Sequence, residues 1–552
     1  MTKKVVAALA CAAAAGLAHA EFTSAMTDPL EWKFDDSKTS EATAFAETDV
    51  PVGGVAEADF LFNGLVPGRP LAFSCDAPGG EWFRMVPVSV EKNTGLAGFC
   101  VHPGETNKWA VRVAPYREFE ALAPLGGGSV APDAATFALR FQLRRFAKTD
   151  GETTLRFRFE QDGCARTHEL KLRVHPVRLV DVGRNSFKYT NWFDLMNMAT
   201  RHGLQPWSEA HFDMIGRYAR LAAAGRQNCA WIPLGYVFEA KDGGVPALNE
   251  ERLVRLVDVY TAAGIWWIEG GHICNFNGGW GATNFLTRFS KSVSTTPDGV
   301  AAIRRLAEPL AAAVERHGWK DRWIQHVADE PDVVNATEYR MSCAAVRRYM
   351  PGFKLLDAVE NCAAGAGALD ILCPKIHTWQ TKRAEFDFQQ KSCGDGLWCY
   401  TCCVPGGKWL NRTLDWHLLK PLYVFWGCSE FGIDGFLHWG YNMYQKNQDP
   451  FGRSTVDNWG TNGGSSLPPG DTHVVYPGAD GPWSGARFEA TRQGVEDYEL
   501  LALVKRRDPA RATALTQRLV RAFDDYTVDV KLYRRTRREL LESAAPPPPG
   551  RE

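Results

Sequence analysis

Beyond its first twenty residues this chain has no apolar run long enough to span a bilayer, which takes about 20 consecutive apolar residues. It also lacks any block of basic residues. Its 63 Lys and Arg are matched by 64 Asp and Glu, for a formal net charge of −1. A polyanion or an anionic membrane surface has no electrostatic footprint to grip, so neither nucleic acid nor membrane is an expected partner. Cysteine pairs at metal-binding spacing are scarce as well. Cys399-Tyr-Thr-Cys402-Cys403 has the C-x-x-C spacing, but no second pair or nearby histidine cluster completes a ligand set, and the segment reads as a buried strand. Fourteen cysteines scattered over 552 residues exclude a small disulfide scaffold. No metal and no cofactor is expected.

What is present fits a large soluble protein of two or more domains. Nineteen tryptophans are many, and indole faces serve both as core filler and as platforms for sugar rings. The N-terminus reads as an export leader: Lys3 and Lys4, an apolar stretch from Val5 to Leu17, and a small-residue cleavage site at Ala18-His-Ala20. The residues before Cys11 make a poor lipid-attachment signal, so the expectation is a secreted or periplasmic protein, unanchored and cleaved after Ala20. Loss of the two lysines takes the formal charge to −3.

Residues 21–178 read as an all-β accessory domain. Ala58–Phe62, Trp109–Val113, Phe137–Leu143, Thr154–Glu160 and Leu170–Val174 alternate apolar with polar between Gly, Pro, Asn and Asp clusters, the pattern of a half-buried antiparallel sandwich. From about residue 179 to 541 strands alternate with helices. Strands are predicted near Ser186–Thr190, Cys229–Leu234, Ile265–Glu269, Trp323–Ala328, Lys354–Ala358, Asp370–Ile376, Gly396–Thr401 and Gly435–Tyr441, nearly all followed by a helical pattern. A long loop is expected from about 443 to 482, then a final helix from Ala486 to Arg506, and a proline-rich tail over 542–552. Eight strands with crossover helices are the count of an α/β (β/α)8 barrel.

In such a barrel chemistry is placed at the carboxyl ends of the strands. The fourth strand ends in Asp329-Glu330-Pro331, where proline should stop the strand and keep Glu330 extended. The other ends supply His272, Asp357, His377, Trp379, Trp398, Tyr400, Trp439, Tyr441 and Asn442, a lining suited to stacking a sugar ring and bonding its hydroxyls. Ordinary glycosidases place two carboxylates across the scissile bond. Two adjacent acids suit a different scheme, in which the substrate's own 2-acetamido oxygen attacks the anomeric carbon. Glu330, with a raised pKa, would protonate the leaving oxygen. Asp329, ionised, would hold the acetamido N–H and stabilise the oxazolinium.

His326-Val-Ala-Asp-Glu-Pro331, Gly435-Phe-Leu-His-Trp-Gly-Tyr-Asn442, Gly470-Asp471 with Tyr476-Pro-Gly478, and Arg487-Phe-Glu-Ala-Thr-Arg-Gln-Gly-Val-Glu-Asp-Tyr498 occur in this order. Together they resemble glycoside hydrolase family 123 and the related bacterial proteins with domain of unknown function 4091, over about residues 180–505. The resemblance implies a retaining, substrate-assisted β-N-acetylgalactosaminidase. It maps the family's acid pair onto Asp329 and Glu330, and its acetamido-pocket aromatics onto Trp398 and Tyr400. Arg487, Glu496 and Asp497 read as packing and ion-pairing residues of the last helix. Two rivals stand beside this reading. One is a retaining glycosidase for another sugar, with Asp357 or Glu269 as second carboxylate; the other is a glycan-binding protein without activity.

Overall fold

Eight short strands, β1 (Lys188–Asn191), β2 (Cys229–Ile232), β3 (Trp267–Gly270), β4 (Trp323–Gln325), β5 (Lys354–Val359), β6 (Ile371–Pro374), β7 (Gly396–Tyr400) and β8 (Gly435–His438), form one parallel sheet. They are seen in a computed structural model that describes residues 21–101, 105, 107–144, 151–241, 245–394, 396–458 and 465–546. The leader and the last six residues of the tail lie outside the described residues. Hydrogen bonds run in the order β1-β8-β7-β6-β5-β4-β3-β2. The Asn228 N–H, just before β2, donates to the Tyr189 carbonyl of β1 at 3.1 Å, so the ring nearly closes. All eight predicted strands are present within a few residues of their expected places.

Side chains alternate across a strand. Trp398 and Tyr400 of β7 therefore pack inside the barrel with Ile324, Leu356, Ala358, Ile371 and Leu437, while Leu397 and Cys399 join the layer between strands and helices. The covering helices start where the sequence offers caps. Ser208, Asn249 and Thr296 each accept a backbone N–H at the starts of Glu209–Ala224, Glu250–Ala262 and Pro297–Arg316. The helix after β7 begins at Leu419. Asp415 is drawn away by the sandwich, where it accepts from the Thr94 N–H and hydroxyl, both at 2.7 Å.

The N-terminal part is a two-sheet sandwich and supplies five strands to each sheet. Its core is aromatic, with Phe60 between Phe157 and Phe159 at 4.8 and 4.7 Å. Trp109–Val113 forms no strand. It is held instead by the barrel and an adjoining loop, through Val111 N–H to the Asp415 carbonyl and Asn93 to the Arg112 carbonyl, both at 2.9 Å. The stretch expected to be a loop after β8 carries a hairpin, Tyr476–Gly478 with Gly481–Gly485, which pairs with Tyr116–Leu125 and extends one of the two sandwich sheets.

Ala486–Arg507 is not the last helix; Pro509–Leu519 and Val530–Ala544 follow it. Buried charges join this helix to its surroundings. Arg487 meets Glu120 of the sandwich at 3.0 Å, and Arg492 meets Glu57, Glu489 and Glu496, each at 2.7 Å. Asp497 accepts from Arg537 at 2.8 Å and from Tyr533 at 2.6 Å. Arg487, Glu496 and Asp497 thus occupy the packing and ion-pairing positions expected of them.

Candidate active site

β4 gives way directly to His326-Val-Ala-Asp329-Glu330, and the two carboxylates open into a cavity of about 400 Å³ at the carboxyl end of the barrel. Its walls come from the other strand ends and from a loop of the sandwich. Tyr400 closes β7, Trp439 follows β8, Lys375 follows β6, and Phe99 reaches over from the N-terminal part.

Glu330 is the most constrained residue of the site. Its φ is +46°, in the left-handed region, where the following proline and the absence of a glycine both argue for an extended backbone. The expectation of an extended Glu330 is therefore wrong, and the reason is visible in its partners. The Tyr400 hydroxyl donates to Oε1, the Trp280 indole N–H donates to Oε2 at 2.8 Å, and Lys375 Nζ lies 3.0 Å from Oε1. Charge-assisted donors of this kind are strong enough to hold a backbone costing about 1–3 kcal/mol. Lys375 also pairs with Glu360, just past β5.

The pair divides its charge in the opposite sense to the sequence expectation. Burial raises the Asp329 carboxyl to about 7, with the charges of Glu330 and Asp357 adding to the effect. Burial pushes Glu330 up as well, but the Lys375 ammonium and the Tyr400 and Trp280 donors outweigh it and hold Glu330 below its ordinary value. Two neighbouring carboxylates that repel each other compete for one proton near neutrality. In the protein alone that proton rests on Asp329.

Beneath Asp329 lies a fully buried charge cluster. His326 donates from Nδ1 to Asp357 at 2.9 Å and from Nε2 to Glu269 at 3.2 Å, and these two carboxylates raise it to about 9 against the opposing effect of burial. Asp357 further accepts the Val327 and Ala328 N–H groups and the Tyr339 hydroxyl, fixing the turn that carries the acid pair. His272 Nε2 stands 3.7 Å from Asp357 and 3.9 Å from Asp329. Ligand atoms of His272, His326 and Asp357 fall within 4.8 Å of one another. A metal would need a neutral imidazole, whereas both nitrogens of His326 are committed to carboxylates that keep it protonated.

Of the eleven residues expected at the site, Asp329, Glu330, Tyr400 and Trp439 line the cavity. His272 and Asp357 sit behind it as supports. The other five do not line it. Trp398 lies deeper in the barrel, against Gly435, where any side chain at 435 would strike the indole. Trp379 is packed between Phe431 and Phe523, and His377 faces Trp409, because a helix (Ile376–Thr381) starts right after Lys375 and carries both away. The Tyr441 hydroxyl is bound to the Tyr218 carbonyl, and Asn442 exchanges hydrogen bonds with the Asp194 backbone. Lining residues that the sequence reading missed include Trp192, Trp280, Lys375 and Asp471. Lys375 was findable, standing between the sixth strand and His377; Trp280 and Asp471 lie in loops without periodicity to place them.

Residues 272–504 match the family model for the glycoside hydrolase 123 catalytic domain. Over 95% of this chain and 97% of the other, the fold aligns with a family 123 glycoside hydrolase from Clostridium perfringens, described in terms of glycolipid glycan hydrolysis, with a TM-score of 0.67 and 10% identity. An exo-β-1,4-mannosidase from Opitutaceae bacterium strain TAV5 aligns with a TM-score of 0.37 and 14% identity, over 59% of this chain and 62% of that one. A β-glucuronidase from Parabacteroides merdae aligns with a TM-score of 0.33 and 9% identity, over 81% and 50%. The last two likenesses are too low to bear on function. No curated protein matches the sequence.

Proposed function

We propose that this chain, a family 123 glycoside hydrolase by its catalytic domain at residues 272–504, is an exported exo-enzyme that releases β-linked N-acetylgalactosamine from glycans. The observation that carries the reading is the placement of Asp329 and Glu330, adjacent in sequence, in one sugar-sized cavity. Asp357 and Glu269, the second carboxylates that an ordinary two-acid scheme would recruit, are fully buried and bound to His326. That favours attack by the substrate's own acetamido group, a known exception to the two-carboxylate rule.

In the first step the acetamido carbonyl oxygen bonds to the anomeric carbon as the glycosidic C–O bond breaks. Glu330 gives its proton to the leaving oxygen, and Asp329, ionised, accepts the acetamido N–H and faces the cationic oxazolinium. In the second step Glu330 takes a proton from water, which attacks the anomeric carbon and reopens the ring with net retention. The acid pair enters with one proton. An N–H donor arriving at Asp329 favours its carboxylate and moves that proton to Glu330. Tyr400, whose hydroxyl burial keeps protonated, orients the acid throughout.

The test is hydrolysis of an aryl 2-acetamido-β-galactoside beside its gluco epimer and the analogue lacking the acetamido group. Turnover of the last at an equal rate would sink the substrate-assisted scheme.

A further inference from the structure

We infer that Asp471 recognises the 4- and 6-hydroxyls of the sugar held at the acid pair, and so sets both the epimer the site accepts and the need for an unsubstituted far end. The inference rests on the hexosaminidase reading above and goes beyond it to the specificity of the same site.

Its first support is topological. In the ring order β1-β8-β7-β6-β5-β4-β3-β2, strands β4 and β8 stand four places apart and face each other across the barrel. Asp329 and Glu330 follow β4. Trp439 follows β8 directly, and the segment carrying Asp471 is tied to the same end, by Met443 N–H to the Thr472 carbonyl at 2.9 Å and by the bridge between Asn442 and His473. Both Asp471 and Trp439 line the cavity that holds the acid pair. In a pyranose C4 lies opposite C1. A ring with C1 at Glu330 therefore presents C4, and the C6 arm beside it, to the β8 side.

The second support is the state of the Asp471 carboxylate. It is 1% exposed, and the Trp439 side chain, which lines the same cavity, donates to it. A carboxylate offers about four acceptor positions, so one indole donor leaves room for others. His438 faces it. Its Nδ1 accepts from Arg412 at 2.7 Å and from the Gly440 N–H at 3.0 Å, so the proton of the neutral ring sits on Nε2, 3.5 Å from Asp471 Oδ1. Burial raises the Asp471 carboxyl to about 7, opposed by Arg412, Trp439 and Arg487. The 4-hydroxyl and the 6-hydroxyl, borne on C4 and on the arm from C5, lie on the same edge of the ring, and one carboxylate can accept from both at once.

Asp471→Asn is the test, read on aryl 2-acetamido-β-galactosides that are intact, 4-deoxy or 6-deoxy, and on the gluco epimer. The expected result is a loss in kcat/KM of about 100-fold on the intact sugar, a loss of only a few-fold on the 4-deoxy sugar, and a collapse of epimer discrimination. His438→Gln, which leaves the carboxylate in place but removes its ring, should show the same pattern more weakly and guards against a folding defect. Equal losses on intact and deoxy sugars overturn the inference. So does a loss confined to kcat and restored by azide, which would put Asp471 at the reacting bond. If the wild type hydrolyses no 2-acetamido sugar, the functional reading fails on its own account. Calorimetric binding of galactose, glucose and their 4-deoxy forms then decides about Asp471, and equal affinities in wild type and variant overturn it.

Discussion

Lys375 Nζ lies 3.0 Å from Glu330 Oε1, so the residue proposed as the acid is held ionised by a neighbouring cation until substrate arrives. Removing that cation should raise the Glu330 carboxyl. A general acid works in its protonated form, and activity falls as pH rises through its pKa. Lys375→Met should therefore move the alkaline limb of the kcat/KM profile upward by about one pH unit, the size expected for losing an opposite charge at this distance. An unmoved limb in the aryl-glycoside profile would mean that Glu330 does not carry the proton.

The two acids should also separate by leaving group. Glu330→Gln removes protonation, which matters little when the leaving group is already a good one. It should cost about 100- to 10,000-fold on a natural glycoside and far less on a dinitrophenyl glycoside. Asp329→Asn removes the charge facing the oxazolinium and should cost about 100- to 1,000-fold on both. Equal losses for both variants on every substrate would contradict this division.

The acid pair and the barrel were legible because both depend on local signals. Alternating apolar runs ended by Pro331, and capping residues such as Ser208, fix elements without reference to the rest of the chain. What depends on a distant partner was not legible. The φ of +46° at Glu330 is set by Trp280, Lys375 and Tyr400, which lie on three other segments. Trp398 and Tyr400 are two residues apart on one strand and point the same way. Only depth along the barrel separates a floor residue from a wall residue, and strand periodicity carries no depth. Trp379 and Asn442 failed for a third reason: a helix or turn begins immediately after their strands, swinging aromatic and amide groups back into the packing.

His326 should link stability to pH. Its folded pKa, about 9, lies above the ordinary 6.5. A raised basic group contributes stability that is fully present below about pH 6.5 and is lost as pH climbs through about 9. Glu269, Asp357 and His272 face the ring, and Asp329, raised to about 7, titrates at the lower end of this window in wild type and variant alike. His326→Phe leaves two buried carboxylates without their cation and should cost about 3–5 kcal/mol. Denaturant unfolding of this variant between pH 6.5 and 9 should show a flatter dependence than the wild type; a parallel slope would place the titrating group elsewhere.

Arg487 separates stability from specificity. One face of its guanidinium pairs with Glu120 at 3.0 Å, while the others donate to the carbonyls of Arg412, Gly470 and His473 at 2.9, 3.1 and 3.1 Å. Gly470 and His473 bracket Asp471, so one side chain both joins the sandwich to the barrel and fixes the segment proposed to read the sugar. Arg487→Met strands the Glu120 carboxylate and should destabilise by about 3–5 kcal/mol. Adding Glu120→Gln removes the stranded charge and should return part of that loss, because the two residues are directly coupled. The carbonyls at 470 and 473 remain without their donor in either case. The double variant should thus regain thermal stability while its kcat/KM on an intact hexosaminide stays at least about 10-fold low, with epimer discrimination reduced. Recovery of activity together with stability would show that Arg487 holds the two parts of the fold together and has no share in positioning Asp471.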